Sequence, residues 1–299
     1  MKQKTLLFSL LLVMLVHTVN AELLNSGMSF LQIPSSAQSA ATMTVFSPSS
    51  QSPLAIFENP VGIVNTETTF SLSHHFWFSD INMDALAFSI PLRKSFVGFG
   101  LNYVRIPGVE IRETPTDEPL ANIEPQYLAA AVAYAWSPLP KVIVGITGKF
   151  LYEHLYTYTD NGVAFDVAAR WNAPSMLDIS FMLQNIGYLQ SDNNTNSLPA
   201  TLNIGIVRPE IFEGNNLNGA IGLNLGSNIV SGEAFAQAGA ELDYRDILLV
   251  RGGFAHIGSE NRESIGFGVH FDRFTFDYAY LFMPEGLTNP HILTISYQP

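Results

Sequence analysis

The chain has no cysteine, which excludes both a disulfide framework and a lipid-bearing cysteine at the start of an exported protein. Charge is scarce too. Asp, Glu, Lys and Arg make up 13% of the 299 residues, against about 25% in an ordinary soluble domain. Cations are the scarcer sign, 14 Lys and Arg against 26 Asp and Glu, for a net charge of -12. Such a surface repels phosphates, so no nucleic-acid partner is expected. Beyond the first 21 residues no run of 18 or more apolar residues occurs, and helical membrane spans are therefore not expected. Yet 47% of the residues are hydrophobic and 12% aromatic. A chain this apolar, with so little charge and no spanning helix, has one other way to live in lipid. That way is a closed β-barrel, in which every backbone group finds a partner on a neighbouring strand.

The first 21 residues stand apart. Lys2 and Lys4 precede an apolar run from Leu6 to Val16, and Val19-Asn20-Ala21 ends the stretch. This order of charge, short apolar core and small residue is that of a secretory signal peptide. The mature chain is expected to begin near Glu22, outside the cytoplasm, with about 278 residues remaining.

From residue 68 onward one pattern recurs: segments of about ten residues that alternate apolar with small or polar residues, divided by turn residues. Fourteen are counted, at 68–77, 82–91, 95–106, 126–136, 142–155, 162–172, 176–187, 200–208, 217–225, 233–244, 247–257, 262–271, 273–282 and 290–297. Successive side chains on a strand face opposite ways, and a cation on the lipid face at midplane costs about 2–4 kcal/mol. Charges should therefore share a face with glycines and small polar residues. In 273–282, Arg273, Thr275 and Asp277 oppose Phe274, Phe276, Tyr278, Tyr280 and Phe282. In 162–172, Ala164, Asp166, Ala168 and Arg170 oppose Val163, Phe165, Val167 and Trp171. By this parity Lys149, Glu153, Asp166, Arg170, Glu233, Glu241, Arg251, Arg273 and Asp277 are expected to face the lumen. Their signs are mixed. They are read as neutralising pairs that pin the barrel or, alternatively, as a polar lane for a solute, with Glu241 and Arg251 as near-diagonal neighbours. The long connections 107–125 and 188–199 fall on one rim and short turns on the other, the usual asymmetry. The long turn 209–216 breaks it.

Residues 22–67 are rich in Ser, Ala and Pro and lack sustained alternation. They read as a linker or, preferably, as a plug, because fourteen strands enclose more space than wall side chains fill. The expected organisation is a signal peptide at 1–21, a plug at 22–67 and a fourteen-stranded antiparallel transmembrane β-barrel at 68–299.

Several words of the sequence resemble a known family. Phe30-Leu31-Gln32-Ile33-Pro34-Ser35-Ser36-Ala37 followed by Asn59-Pro60-Val61-Gly62, then Ser71–Ile81, Gly162–Asp166, Leu183–Gly187, Leu198-Pro199 and Asp277–Tyr280, resemble in their order the PorV/PorQ family of outer-membrane barrels, relatives of the FadL fatty-acid transporters. Asn59, Pro60 and Gly62 are the most recognisable positions. Two stretches depart from the pattern: Ala40–Val45 lacks the usual glycines, and Glu58 stands where an aromatic is common. The resemblance implies an outer-membrane protein that handles exported cargo in a type IX-like secretion system. The alternative it implies is a FadL-like channel for hydrophobic compounds. It also points to a kink in the third strand as a lateral gate, at Arg105, Pro107 and Gly108, although a plain strand end at Pro107 is the other reading.

No catalytic or metal motif accompanies this pattern. The mature chain's histidines, His74, His75, His154, His256, His270 and His291, lack metal-ligand spacing. No Gly-x-Ser-x-Gly elbow occurs, and Ser73 with His75 on one strand face is the slim hint of a hydrolase. No enzyme activity and no cofactor are expected. The acidic loop with Glu110, Glu113, Asp117, Glu118 and Glu124 against Arg112 reads as a solvated loop or as a site for a basic partner. Expected partners are outer-membrane lipid and, by the resemblance, secretion-machinery proteins or exported cargo.

Overall fold

A computed structural model of the chain describes residues 27–112, 118–191, 195–214, 216–283 and 287–299. The expected leader lies outside the described residues, as do Glu113 and Asp117 of the acidic loop. The wall strands are β1 (Thr69–Phe76), β2 (Asn82–Leu92), β3 (Ser95–Arg105), β4 (Gln126–Leu139), β5 (Val142–Leu155), β6 (Tyr158–Ala173) and β7 (Leu177–Gln190), followed by β8 (Thr201–Glu213), β9 (Leu217–Asn228), β10 (Ala234–Tyr244), β11 (Leu248–Ile257), β12 (Glu260–Phe271), β13 (Phe274–Phe282) and β14 (His291–Tyr297). Each pairs antiparallel with the next, and β14 pairs with β1 from Phe70↔Tyr297 to Phe76↔His291, closing the wall. A short segment, Thr195–Ser197, pairs with the end of β7 and is the outer continuation of β8. The expected all-β architecture of fourteen antiparallel strands with an N-terminal non-barrel segment is the one observed.

The strands form because the period-two pattern offers one face to lipid and one to the lumen. In β6, Gly162, Ala164, Asp166 and Ala168 are buried while Val163, Phe165 and Val167 are exposed. In β13, Asp277 is buried and Phe274 and Phe276 are exposed. The outward face carries Leu72, Leu101, Phe150, Phe181, Leu223 and Phe267, each roughly half exposed or more and available to hydrocarbon. Near the long-hairpin rim, polar partners appear on this outer face: His74 Nδ1 lies 2.7 Å from Asp84 Oδ1, and Tyr278 Oη 2.7 Å from His291 Nδ1. Such groups suit the level where lipid meets water. The turn at 209–216 also resolves. β8 runs to Glu213 through a bulge between Arg208 and Phe212, so the connection to β9 is short and the strand count stands.

Residues 27–67 fill the lumen as a hatch of short turns: 3-10 segments Ser29–Gln32, Ser47–Ser49, Pro53–Phe57 and Pro60–Ile63, with one helix, α1 (Ala37–Ala41). Ser36 caps α1, its hydroxyl accepting from Ser39 N at 3.1 Å. Proline at the start of three of these turns suits a missing N–H. Leu54, Ile56, Val61 and Ile63 are fully buried against the wall, so this non-barrel segment packs within it. The wall glycines seat it. A Cβ at Gly145 would lie 2.9 Å from the Pro60 Cβ, and one at Gly266 would lie 2.5 Å from the Ala41 Cβ.

The Asn-Pro-Val-Gly word now has a physical meaning. Asn59 Oδ1 accepts from Val61 N at 3.2 Å, Pro60 packs onto Gly145, and any Cβ at Gly62 would strike the Ser47 carbonyl. Glu58 knots the hatch together. It accepts from Ser35 N (2.7 Å), Ser35 Oγ (2.8 Å), Ser39 Oγ (2.5 Å) and Ser47 Oγ.

Candidate functional site

The hatch does not fill the lumen evenly. Toward β2–β6 it meets an apolar inner wall: Met83, Ala85, Ala129, Ala131, Ala133, Ala135 and Leu151 pack with Leu31, Leu54, Ile56 and Ile63 in one cluster. Toward β8–β10 the inward positions are Asn203, Gly205, Asn224 and Gln237. Between that polar wall and the hatch lies a cavity of about 190 Å³. Leu31, Ile33, Val45, Ser47, Pro48 and Glu58 border it on the hatch side, and Ser180, Met182 and Gln184 of β7 continue the wall. It extends toward the long-hairpin rim, where Asn228, Glu233, Phe235, Ile257 and Arg262 surround its mouth. Glu233 and Arg262 there are exposed.

The expected lumenal charges divide into four sets. Lys149 and Asp166 form a fully buried ion pair, Nζ to Oδ2 2.7 Å. Lys149 Nζ also donates to Asn185 Oδ1 (2.8 Å) and to the Phe57 carbonyl of the hatch (3.2 Å). Arg251 is held between Glu241 and Asp277, at 2.5 Å from each. Glu241 stands directly opposite Arg251 in the ladder rather than diagonal to it. Arg170 donates to the Pro48 carbonyl at 2.5 Å, and Glu153 is buried opposite Tyr127 and Asp160. Glu233 and Arg273 differ from expectation. Both precede the first residue of their strand and are exposed at the rims, where water solvates them. The buried cations Lys149, Arg170 and Arg251 are thus each engaged by carboxylates or by hatch carbonyls.

The third strand shows no kink. β3 pairs without interruption from Ser95 to Arg105 with β2 on one side and β4 on the other. Pro107 and Gly108 lie past the wall, at the base of a small ribbon in which Val109–Ile111 pairs with Ala121–Ile123. Proline's missing donor costs nothing there, and the lateral gate expected at Arg105, Pro107 and Gly108 has no structural basis.

The interruption lies elsewhere, in β7 and β8. Asp166 of β6 faces two residues of β7, Gln184 and Asn185, in a bulge. Asn185 adopts φ 57° there and donates its backbone N to Asp166 Oδ1 at 2.8 Å. Asparagine tolerates this left-handed backbone better than most residues. Across from it, Leu198, Pro199 and Ala200 leave the ladder between Ser197↔Tyr188 and Thr201↔Gln184 and turn into the interior, all three buried. Ala200 N bonds the Leu198 carbonyl at 2.7 Å, and Asn185 Nδ2 reaches the Pro199 carbonyl at 3.4 Å. The sequence marks Leu183–Gly187 and Leu198-Pro199 as words of the resemblance but gives them no role, because 188–199 reads as a loop. A proline inside a strand-length alternation was the available signal.

Ser73 and His75 do meet, Oγ to Nε2 3.2 Å, but beneath the hatch. Thr294 Oγ1 (2.8 Å from Ser73 Oγ) and the Ser35 carbonyl (3.4 Å from His75 Nε2) complete a packing network. Among the described residues no three His, Cys, Asp or Glu gather as a metal site.

No family profile matches the chain, and no curated protein sequence does. Solved structures do. The toluene transporter TodX of Pseudomonas putida superposes with a TM-score of 0.63 at 10% identity, covering 83% of this chain and 94% of that one. The CymD monoaromatic hydrocarbon channel gives 0.56 at 11% identity, over 82% and 92%. The Acinetobacter baumannii outer membrane protein Omp33 gives 0.50 at 7%, over 78% and 98%. At such identities the likeness is one of fold. The closed wall, the apolar exterior and this shared fold make the chain an outer-membrane β-barrel built like those channels.

Proposed function

We propose that this barrel is a hatch-closed channel for the uptake of small organic molecules from outside the cell. The observation that carries the reading is the cavity that descends from the long-hairpin rim and ends on the hatch. A barrel serving only as a platform for cargo has no need of it. The TodX-like fold supports the same reading, since structures sharing it are a toluene transporter and a monoaromatic hydrocarbon channel. It favours the FadL-like alternative over PorV/PorQ-type cargo handling, which rests on sequence words alone. In this scheme a solute enters at Phe235 and Ile257 and comes to rest above Val45 and Pro48. It leaves when the hatch shifts, or sideways past Leu198–Ala200, where the ladder is already open. The Arg251–Glu241–Asp277 cluster closes the direct route downward beside α1.

The test is solute flux into proteoliposomes, with phenol and toluene as probes. The full barrel should carry at least one of them well above protein-free vesicles. Asn203→Trp, which fills the cavity, should cut that flux about tenfold or more. Flux no greater than in empty vesicles, joined with retention of exported proteins in a deletion strain, would favour cargo handling instead.

A further inference from the structure

We infer that the solute taken by this cavity is a neutral molecule about the size of one substituted aromatic ring that donates a hydrogen bond. A phenol or an aromatic amide fits this description; a bare hydrocarbon or a long-chain acid does not. The inference rests on the uptake reading and narrows it.

Size comes first. The cavity holds about 190 Å³, and an apolar protein cavity of about 150 Å³ accepts benzene. One ring with a small substituent therefore fits, and an extended acyl chain would have to protrude through the mouth. The apolar part of the lining, Met182, Val45, Phe235 and Ile257, offers contact to such a ring.

The polar part sets the class. Asn224 is 8% exposed and borders this space from β9. Its Nδ2 is used, donating to Gln237 Oε1 at 2.8 Å. Its Oδ1 is buried without any partner. The Oδ1 atoms of Asn65, Asn102 and Asn218 are also buried without a partner, but of these four Asn224 is the one that borders the cavity, and a buried amide oxygen left so calls for a donor. Beside it, no protein hydrogen bond engages the Asn203 amide among the described residues. A purely hydrocarbon solute would leave the Asn224 oxygen unsatisfied, and a solute hydroxyl or amide N–H would satisfy it.

Charge excludes the acids. The one buried charged group in the lining is a carboxylate, Glu58. The cation in the lining, Arg262, is exposed at the outer mouth, and Arg170, behind the bordering Pro48, is engaged by the Pro48 carbonyl. A bound carboxylate would lose its hydration without gaining a buried cation, which is costly, and it would meet Glu58. Glu58 itself is saturated by the serine hydrogen bonds of the hatch, so it is a poor receptor for a cationic solute.

The test is calorimetric titration of the detergent-solubilised full barrel with phenol, toluene and benzoate. Phenol should bind at least tenfold more tightly than either of the others. Asn224→Leu, close in volume but without the acceptor, should bring phenol down to the toluene level while leaving toluene unchanged or tighter. Toluene binding as tightly as phenol, benzoate binding tightest, phenol insensitive to Asn224→Leu, or no binding of any of the three would overturn the inference. If Asn224→Leu does not reach the heat-modifiable folded form, the ranking on the unaltered barrel decides alone. The uptake reading is judged separately, by whether Asn203→Trp stops flux. A barrel that passes toluene in preference to phenol would keep its function and lose this specificity.

Discussion

The β2–β6 wall and the β8–β10 wall follow the same rule outside and differ inside. Both turn leucine, isoleucine, valine and phenylalanine toward lipid. On the lumenal side, β4 presents Ala129, Ala131, Ala133 and Ala135, all buried against the hatch. At the corresponding positions β8 and β9 present Asn203, Gly205 and Asn224 beside a cavity. Alternation alone cannot tell these apart, since alanine and asparagine both count as small or polar. Alanine at 129–135 faces the hatch in close contact. Asn203 and Asn224 border the cavity, although β3 also buries an amide, Asn102, on the packed side.

The largest predicted break in this comparison concerns the Lys149–Asp166 pair, which fastens the hatch to the packed side. Asp166→Ala leaves a buried ammonium uncompensated and removes the acceptor of Asn185 N. Removing one partner of such a pair costs about 3–5 kcal/mol, read as a shift in denaturant unfolding of the barrel in lipid vesicles. The double change Lys149→Met with Asp166→Leu should recover most of that loss, because a well-packed apolar pair does not need charge compensation. A smaller effect separates the two walls directly. Ala133→Leu overpacks a full interior and should cost about 1–3 kcal/mol. Asn203→Leu adds its methyl groups to open volume and should cost less than Ala133→Leu in the same unfolding measurement.

Much of the wall was legible because a barrel strand obeys one strict physical constraint, lipid on one side and lumen on the other. All fourteen expected segments correspond to strands, and Asp277, Asp166 and Arg251 are buried. Parity says nothing once a strand ends, which is why Glu233 and Arg273 were placed in the lumen although they reach water at the rims. The hatch was legible as a filled segment but not as structure, because 3-10 turns broken by Pro48, Pro53 and Pro60 leave no period to read. The resemblance points to Pro107, whereas the ladder is interrupted at Asn185 and Leu198–Ala200. The positive φ of Asn185 depends on Asp166, 19 residues earlier in the chain, and no local pattern displays that coupling. The cavity was illegible for the same reason. It exists only because the hatch leans on one side of the lumen.

The absence of cysteine offers a direct test of that division. Asn203→Cys and Ala131→Cys place single thiols on the inner faces of the two walls in an otherwise thiol-free chain. Cells displaying each barrel can be treated from outside with a small, charged, membrane-impermeant methanethiosulfonate reagent. The account predicts rapid modification of the thiol at position 203 and none at 131 while the hatch is in place. Equal protection of both positions, or modification at 131, would contradict a lumen that is open on one side and sealed on the other.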